Sequence, residues 1–445
     1  MHLYERTFQR PRKRKRTRRS SLRCALPCSL LFCLVPHIVT TTHPFSTALL
    51  HWFQRHGRSL PWRETKDPYA IWLSEVILQQ TRVNQGMAYW QRFMQNYPTV
   101  NALAAATEDE VLRLWQGLGY YSRARNLHQA AKQIAELGHF PNTHEEISKL
   151  KGVGPYTSAA ISSIAFNLPV AVVDGNVYRV LARFFGIDTP INSTEGKKQF
   201  ATLAQSLLPH HAPARYNEAI MDFGALQCLP VKGETGKVNG HTVAPNDTPS
   251  FCNSCPLSGQ CVAFAQGLVR SLPVKSKSQA PKQRRMGYIY TRCGGDIAIR
   301  KRPAGDIWQG LWEPLLYEDV VLSGVQTPKN NKREGTNNQD NFPSQQLLAC
   351  IDRLFKGEQG TESTAIPPNS HLHATLSPTI KGPYSFRHVL THRIIMAQFA
   401  VVETSVRPEL PSDYIWVSEQ KLNKYAISRL FELFLERLNN ETKDK

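Results

Sequence analysis

The spacing of apolar residues changes once along the chain, and this change predicts two kinds of fold. From residue 43 to about residue 273, apolar residues recur every three or four positions between short Gly/Pro breaks. This period is typical of amphipathic helices. Helices are predicted over 46–56, 68–83, 108–116, 122–137 and 155–166. This part of the chain is therefore predicted to be all-α.

A different pattern follows after residue 285. Short runs rich in β-branched residues occupy 287–291, 297–301 and 394–404, and 418–438 has a helical pattern. We therefore predict a separate α/β domain over 286–438. Residues 262–285 are predicted to form a linker, because 270–285 are polar, basic and contain proline. The Asn/Lys/Gly-rich segment 330–341 is predicted to be a surface loop.

The net charge of +19 indicates a polyanionic partner. The first 40 residues hold ten of the 54 Lys and Arg residues against a single acid, Glu5, so the remainder of the chain is only moderately basic. An apolar stretch over 24–39 is too short to span a bilayer and contains two prolines, so no membrane association is predicted. Residues 1–42 are open to three interpretations: a signal peptide, a nuclear signal or nucleic-acid arm, or an over-extended start outside the fold.

Nine cysteines, an odd number, do not resemble the disulfide framework of a secreted protein. A reducing, intracellular compartment and a metal site fit better. Four of the cysteines fall between residues 228 and 261: Cys228, Cys252, Cys255 and Cys261. Four thiolates suit either a tetrahedral zinc ion or an iron–sulfur cluster.

Two glycines mark a turn that opens a helix. Gly152 and Gly154 precede Pro155, a residue favoured at the first helical position. Such a turn brings backbone N–H groups close to a phosphate, although a plain turn between helices has the same sequence pattern. About twenty residues later Asp174 precedes Gly-Asn, a pattern that also suits a turn or a helix N-cap. The two together resemble the helix-hairpin-helix arrangement of DNA glycosylases.

Four motifs make the resemblance specific. Leu-Pro-Trp-Arg (60–63), Trp-Leu-Ser-Glu-Val-Ile-Leu-Gln-Gln-Thr (72–81), Gly-Leu-Gly-Tyr-Tyr-Ser-Arg-Ala-Arg-Asn (117–126) and Val-Asp-Gly-Asn-Val (173–177) occur in the order found in the MutY family of adenine DNA glycosylases. The resemblance covers about 43–275 and, more weakly, continues to about 435.

The resemblance implies a multidomain architecture: an all-α helix-hairpin-helix glycosylase domain over 43–227, an iron–sulfur cluster loop over 228–261, and an α/β Nudix-like C-terminal domain. It implies a base excision repair enzyme that flips out and removes adenine mispaired with 8-oxoguanine or guanine. The implied partner is double-stranded DNA with such mispairs, bound by a monomer. The implied location is the cytoplasm or nucleoid in a bacterium, and the nucleus or mitochondrion in a eukaryote.

The resemblance also implies the catalytic residues. Glu75 would be the general acid, and the apolar residues around it in sequence predict a raised pKa. Asp174 would stay ionised near a helix terminus and stabilise the sugar cation, so the two acids should have opposed pKa values. Tyr156 and Asn176 would assist Asp174. Because Tyr156 replaces the lysine nucleophile of bifunctional relatives such as endonuclease III, the enzyme should be monofunctional.

Further residues would bind substrate, and for each the alternative is an ordinary structural role. Four match the adenine pocket, three match residues that push into the duplex, two hold the DNA backbone, and two read the lesion. They are, in that order, Arg58, Leu60, Trp62 and Arg63; Gln80, Leu118 and Tyr120; Gly152 and Gly154; Thr391 and His392.

The resemblance assigns the four cysteines to a [4Fe-4S] cluster, although a polar insertion at 232–250 separates Cys228 from the other three. In the C-terminal domain Arg300-Lys-Arg-Pro and 307–314 resemble the reader of 8-oxoguanine, but the acidic Nudix box is absent. Leu390 stands where the family carries an aromatic residue.

Three other functions compete with this hypothesis. A thymine or uracil mismatch glycosylase of the same superfamily would usually lack the C-terminal reader. A lesion-binding protein without chemistry would not need the two acids. A Nudix hydrolase would need the missing box.

Overall fold

Helices form the first part of the residues that the structure describes. The computed structural model describes residues 42–231, 249–276, 280–322 and 378–443, and the backbone of 237–238 and 241–242. Three segments named in the sequence analysis lie outside these residues: the predicted extension up to residue 41, most of the insertion 232–250, and the predicted loop 330–341.

Eleven helices precede the cysteine region in the described residues. They are α1 (Pro44–His56), α2 (Pro68–Leu78), α3 (Val83–Asn96), α4 (Val100–Ala105), α5 (Glu108–Trp115), α6 (Ser122–Leu137), α7 (His144–Lys149), α8 (Pro155–Phe166), α9 (Gly175–Phe185), α10 (Thr194–Leu207) and α11 (Pro213–Leu226). Two short helices, α12 (Ser250–Asn253) and α13 (Val262–Ala265), follow, and Pro61–Arg63 form a 3₁₀ turn.

The helices predicted over 122–137 and 155–166 are confirmed as α6 and α8. The prediction over 68–83 was wrong at its end, because α2 stops at Leu78 and α3 begins at Val83. Gln80 has φ +57°, a left-handed conformation that helical hydrogen bonding cannot accommodate. The apolar period continues through this break, so the pattern alone did not show it.

The helices pack around two apolar cores. One core is built on α1, α9, α10 and α11 and contains Phe45, Leu181 and Phe223. The other is built largely on α2, α5 and α6, around Trp72 and Trp115. Helix α8 belongs to both, because neighbouring residues on it face opposite sides, and α8 and α2 therefore lie at the seam between the cores.

The C-terminal part contains a seven-stranded mixed sheet within the described residues. Its strands, numbered after the short pair β1 (Lys237–Val238) and β2 (His241–Thr242), are β3 (Lys282–Cys293), β4 (Asp296–Lys301), β5 (Trp312–Glu313), β6 (Leu315–Leu322), β7 (Thr379–Val389), β8 (Arg393–Thr404) and β9 (Tyr414–Ser418). The order is β5-β4-β3-β8-β7, with β6 paired to β3 and β9 to β4. Strands β3 and β8 are parallel along their whole length. Helix α14 (Arg429–Lys443) packs on the sheet through Phe431 and Phe434.

Two predictions for this half were wrong in detail. The linker predicted over 262–285 is partly folded: Leu272 is buried in the first helical core, and β3 begins at Lys282. Arg284 is buried because Asp306, distant in sequence, pairs with it at 2.6 Å. The helix predicted over 418–438 is replaced at its start by a 3₁₀ turn and an extended stretch, and α14 begins only at Arg429.

The two halves of the chain share one core. Leu311, from the loop before β5, is 1% exposed and packs with the second helical core, as does Ala426. Arg125 of α6 donates a hydrogen bond of 2.6 Å to the carbonyl of Gln309, and Lys301 pairs with Asp109. The C-terminal part is therefore fixed against the helices by apolar burial as well as by surface contacts.

We expect Leu311→Ala to lower the free energy of unfolding by about 2–5 kcal/mol, because a buried leucine is removed from a core that both halves share. Chemical denaturation measures this loss. Ile415→Ala is the matched control, since Ile415 is 41% exposed on the sheet and should cost less than about 1 kcal/mol. Equal losses for the two variants would contradict the shared core.

Candidate active site

One open cavity of about 2080 Å³ lies at the seam between the two helical cores. Helix α2 contributes Glu75 to its wall, α8 contributes Tyr156, and the N-terminus of α9 contributes Asp174 and Asn176. Both carboxyl groups that the sequence analysis singled out therefore face the same space.

Glu75 lies on the buried side of α2 and is 8% exposed. The hydroxyl of Tyr156 donates a hydrogen bond of 2.7 Å to its Oε2. Burial raises the pKa of Glu75 from 4.5 to about 7, and the nearby Asp174 adds to the rise, while the Tyr156 bond and Arg63 oppose it. The predicted raised pKa is confirmed, and Glu75 can hold a proton near neutral pH.

Asp174 is the N-cap of α9, a position where aspartate is strongly preferred. Its Oδ1 accepts hydrogen bonds from the backbone N–H groups of Asn176 (2.9 Å) and Val177 (2.8 Å), and its Oδ2 accepts one from Asn176 Nδ2 (2.8 Å). Asp174 does not have a lowered pKa that would set its value against that of Glu75. Burial raises the pKa of Asp174 as well, and these hydrogen bonds only reduce the rise.

The two acids nevertheless differ in how many donors they meet. Asp174 accepts three hydrogen bonds that favour its ionised form, whereas Glu75 accepts one. Tyr156 itself has a pKa raised well above 10, because of burial and the two neighbouring acids, so it remains a hydrogen-bond donor. The arrangement combines one acid that can hold a proton near neutral pH with one whose ionised form meets more hydrogen-bond donors.

The Leu-Pro-Trp-Arg motif forms the 3₁₀ turn at the rim of the same cavity. Leu60 and Trp62 are each 5% exposed. Arg58 and Arg63 both bind Asp222 of α11, with Arg63 Nη1 at 2.8 Å from Asp222 Oδ2. These arginines lower the pKa of Asp222 in spite of its burial, so the charges that hold the turn in place are compensated.

Sequence reasoning missed Glu218 and Asp222, which follow each other by one turn on α11. Glu218 lines the cavity, lies 3.4 Å from Arg63, and has a pKa raised by burial. Two acids four residues apart, on a helix whose residues 219–226 are otherwise apolar or glycine, were the available signal.

The predicted hairpin lies between α7 and α8, and both of its glycines are exposed. Gly152 has φ +75°, and a Cβ there would approach the Cβ of Asn126 to 2.5 Å. Only glycine fits this turn without a rearrangement. Gly154 is the N-cap of α8.

Of the three residues predicted to push into the DNA duplex, two are exposed. Gln80 follows α2, and Tyr120 is 50% exposed; both have positive φ angles. Leu118 is instead 9% exposed and packs in the second helical core, so the structure does not present it to a duplex. The chain folds back onto the end of α5 at this point, because the Leu118 N–H donates a hydrogen bond to the Trp115 carbonyl.

A second cavity, of about 1300 Å³, lies where the helices meet the C-terminal sheet. Thr391 and His392, in the turn between β7 and β8, line it together with Tyr120 and Trp308. The hydroxyls of Thr391 and Tyr120 are hydrogen-bonded to each other. Leu390 is partly buried against the core of the sheet.

The four cysteines Cys228, Cys252, Cys255 and Cys261 line one apolar cavity of about 400 Å³, in spite of the insertion. Arg183 Nη1 lies 3.4 Å from the Cys228 sulfur. Burial raises the pKa of Cys252 to about 12 and of Cys255 to about 11, so without a compensating cation these groups would be neutral thiols. Within the described residues, no group of three His, Cys, Asp or Glu side chains could hold a single metal ion. Four thiols around one cavity are a donor set that fits an iron–sulfur cluster.

Both parts of the chain are similar to known protein families. Residues 73–209 match the model of the HhH-GPD superfamily of base excision DNA repair proteins, and residues 286–437 match a NUDIX domain model. A solved structure titled as a thermostable thymine-DNA glycosylase is 28% identical, with a TM-score of 0.43, and the match covers 50% of this chain and 95% of that one. None of the described helices has the length and apolar composition of a membrane span.

A helix-hairpin-helix domain with two acids on one cavity, followed by a Nudix-like mixed sheet, defines a DNA glycosylase of base excision repair. An adenine DNA glycosylase of Buchnera aphidicola subsp. Baizongia pistaciae is 33% identical over 66% of this chain and 79% of its own length. The human adenine DNA glycosylase is 40% identical over 60% of this chain and 56% of its own length. The chain belongs to the adenine DNA glycosylase family, so the resemblance and the fold class expected from the sequence are both confirmed.

The raised pKa of Glu75 has a consequence for stability. The folded chain holds this proton more tightly than the unfolded chain, so the resulting stabilisation is complete below about pH 4.5 and is lost as the pH rises towards 7. We therefore expect Glu75→Gln to be more stable than the wild type by up to about 3 kcal/mol at pH 8, and by less than about 1 kcal/mol at pH 5.

Chemical denaturation at the two pH values tests this expectation. Glu136→Gln is the matched control, because it makes the same change at an exposed position on α6 and leaves the buried carboxyl in place. A gain of Glu75→Gln that is the same at both pH values would show that the carboxyl titrates normally.

Proposed function

We propose that this protein hydrolyses the N-glycosidic bond of adenine mispaired with 8-oxoguanine or guanine in duplex DNA. The observation that carries the proposal is the meeting of Glu75 and Asp174 on one cavity, one acid with a pKa of about 7 and the other held by three hydrogen bonds. Removal of adenine needs both a proton for the leaving base and a negative charge for the sugar.

Glu75 is the general acid in this proposal. Its carboxyl proton passes to adenine, at N7, and the electron pair of the C1′–N9 bond then leaves with a neutral base. An acid with a pKa near the working pH combines a useful protonated fraction with sufficient acidity. Tyr156 fixes the position of the carboxyl group through its hydrogen bond.

Asp174 stabilises the oxocarbenium ion that remains on the sugar. Its charge is oriented by the N-terminus of α9 and by Asn176. The cation is either paired with Asp174 or trapped by it briefly, and water then adds to C1′. The proton of that water returns to the Glu75 carboxylate, which restores the starting state.

The rim of the cavity supplies contacts for the flipped base. Leu60 and Trp62 offer apolar walls, while Arg63 and Glu218 offer hydrogen-bonding groups next to Glu75. A buried purine needs both kinds of contact. Gln80 and Tyr120, held out by left-handed backbone conformations, are suited to fill the space that the base leaves, and the Gly152–Gly154 turn is suited to hold a DNA phosphate.

The enzyme is monofunctional in this proposal. No lysine lines the active-site cavity within the part of the chain that the structure describes. Lys149, next to the hairpin, is exposed and bound to Glu145 at 2.9 Å. Tyr156 has no amine with which to form a Schiff base, so the product is an abasic site without efficient strand cleavage.

The cavity between the helices and the sheet is assigned to the base opposite adenine. Thr391 offers a hydroxyl and His392 a ring nitrogen to that base, and Tyr120 lies beside both. Because the acidic Nudix box is absent from the sequence, the C-terminal domain reads the lesion without hydrolysing a pyrophosphate.

A [4Fe-4S] cluster held by Cys228, Cys252, Cys255 and Cys261 would take no part in bond cleavage in this proposal; its thiolate-bound iron would shape the loop of α12 and α13. The chain's own residues connect this loop to the active site. Arg179 of α9 donates hydrogen bonds to the Cys228 carbonyl (2.8 Å) and to Asn176 Oδ1 (2.9 Å).

We expect free adenine to be released from an A:8-oxoguanine duplex, and more slowly from A:G, in a single-turnover assay. Glu75→Gln and Asp174→Asn should each lower the rate by at least about 10³-fold. The rate should fall as the pH rises through about 7, because Glu75 must be protonated. Glu136→Gln and Asp188→Asn, which replace exposed acids by the same chemistry, should retain the wild-type rate.

Turnover that survives either active-site change would overturn the two-acid mechanism. Release of thymine or uracil in place of adenine would assign another substrate. A protein–DNA adduct captured by borohydride would exclude the monofunctional assignment.

Metal analysis tests the cluster separately. We expect about four iron atoms per chain with a broad visible absorption. Cys228→Ala should lower the bound iron, whereas Cys293→Ala, a buried free cysteine outside this cavity, should retain it. One zinc ion per chain and no visible absorption would contradict the cluster.

A further inference from the structure

Arg123, on the first turn of α6, is a partly buried arginine without a carboxylate partner. Among the described residues no acid lies within ion-pair distance of it, and its Nε has no hydrogen-bond partner. Burial lowers its pKa to about 10, so the guanidinium is still charged at neutral pH. Such a charge needs compensation from another source.

The end of α2 provides this compensation. Arg123 Nη1 donates to the carbonyls of Val76 and Ile77, both at 3.1 Å, and to the carbonyl of Gln79. The last carbonyls of a helix lack partners within the helix and carry its negative dipole end, so they attract a cation. Glu75 lies three residues before the end of α2. Arg123 therefore holds the turn that carries the catalytic acid.

The same guanidinium also holds the turn that faces the second cavity. Arg123 Nη2 donates to the Gly119 carbonyl at 3.3 Å, and its carbon lies 5.6 Å from the centroid of the Tyr120 ring. The Arg123 N–H donates to the Tyr120 carbonyl at 2.9 Å. Tyr120 in turn is hydrogen-bonded to Thr391.

A third contact ties the end of α2 to the active site. Gln79, whose carbonyl accepts from Arg123, donates from Nε2 to the Thr157 hydroxyl at 3.0 Å. Thr157 follows Tyr156, the donor to Glu75. If Arg123 moved, the end of α2 would move with it. The displacement would reach Glu75 by two routes: along α2, and through Thr157 to Tyr156, which donates a hydrogen bond to Glu75.

We propose that Arg123 is a positioning residue that couples the cavity for the opposite base to Glu75, so that adenine is released faster when 8-oxoguanine occupies that cavity than when guanine does. The inference rests on the function proposed above. Arg123 contacts no substrate group in this scheme. It transmits the position of the Tyr120 turn to the turn that carries Glu75, because one rigid guanidinium fork bonds to both.

Arg123→Lys tests the coupling in the full chain. Lysine keeps the positive charge but cannot bond to both turns at once. We expect the single-turnover rate on A:8-oxoguanine to fall by about 10- to 100-fold, and the rate on A:G by less than about 3-fold, which removes the preference. We also expect the pH of half-maximal rate on A:8-oxoguanine to move, because Glu75 is displaced. Equal losses on the two duplexes with an unchanged pH profile would overturn the proposal.

Arg113→Lys is the matched control. Arg113 donates to the Asn423 carbonyl of the C-terminal part, so it joins the two halves of the chain without contacting α2 or the cavity that contains Thr391. The preference for 8-oxoguanine should be unchanged in this variant. If Arg113→Lys removed the preference as well, contact between the halves would explain the effect, and the role of Arg123 would be excluded.

A double-mutant cycle with Thr391→Ala measures the coupling energy. Thr391 is exposed, so its variant should fold even if Arg123→Lys does not. We expect Thr391→Ala to slow A:8-oxoguanine and to shift its pH profile, and to have almost no further effect once Arg123 is lysine. Additive effects, or an unshifted profile in Thr391→Ala alone, would exclude the coupling. A wild-type protein that releases no adenine would contradict the proposed function itself.

Discussion

The burial of the Glu75 carboxyl at the seam between two helical cores is the constraint on which the rest of the site depends. A carboxyl group in such a place costs free energy whenever it is ionised. The fold keeps it there because α2 and α8 are each packed on apolar neighbours on both sides of the seam. The same burial that makes Glu75 unfavourable for stability gives it the pKa of a general acid.

The acids around Glu75 differ in the direction of their pKa shifts, because they meet different numbers of positive charges and hydrogen-bond donors. Asp222 is fully buried but meets two arginines, so its pKa falls, whereas Glu218 meets Arg63 only at 3.4 Å and its pKa rises. The pKa of Asp174 is also raised by burial, although backbone donors offset part of its desolvation. Differences in the number of donors and positive charges thus separate acids that lie close to one another in the fold.

The sequence was sufficient where local pattern decides the structure. Helices α6 and α8, and the raised pKa of Glu75 among apolar neighbours on one helix, were predicted correctly. The sequence was insufficient where contacts distant in the chain decide. Helix α2 ends just before Gln80, and the apolar period does not reveal the left-handed backbone of this residue. The pKa of Asp174 depends on burial by other elements. The buried Arg284 depends on Asp306.

The shared core gives the two cavities a fixed relation. Leu311 and Ala426 come from the C-terminal part but are buried with α2, α5 and α6, so the sheet cannot move away from the helices without exposing apolar surface. Close-packed cores transmit a displacement instead of absorbing it. If the C-terminal part reads the opposite base as proposed, its attachment to this core lets it influence the acid on α2 through short side-chain contacts, without a domain movement.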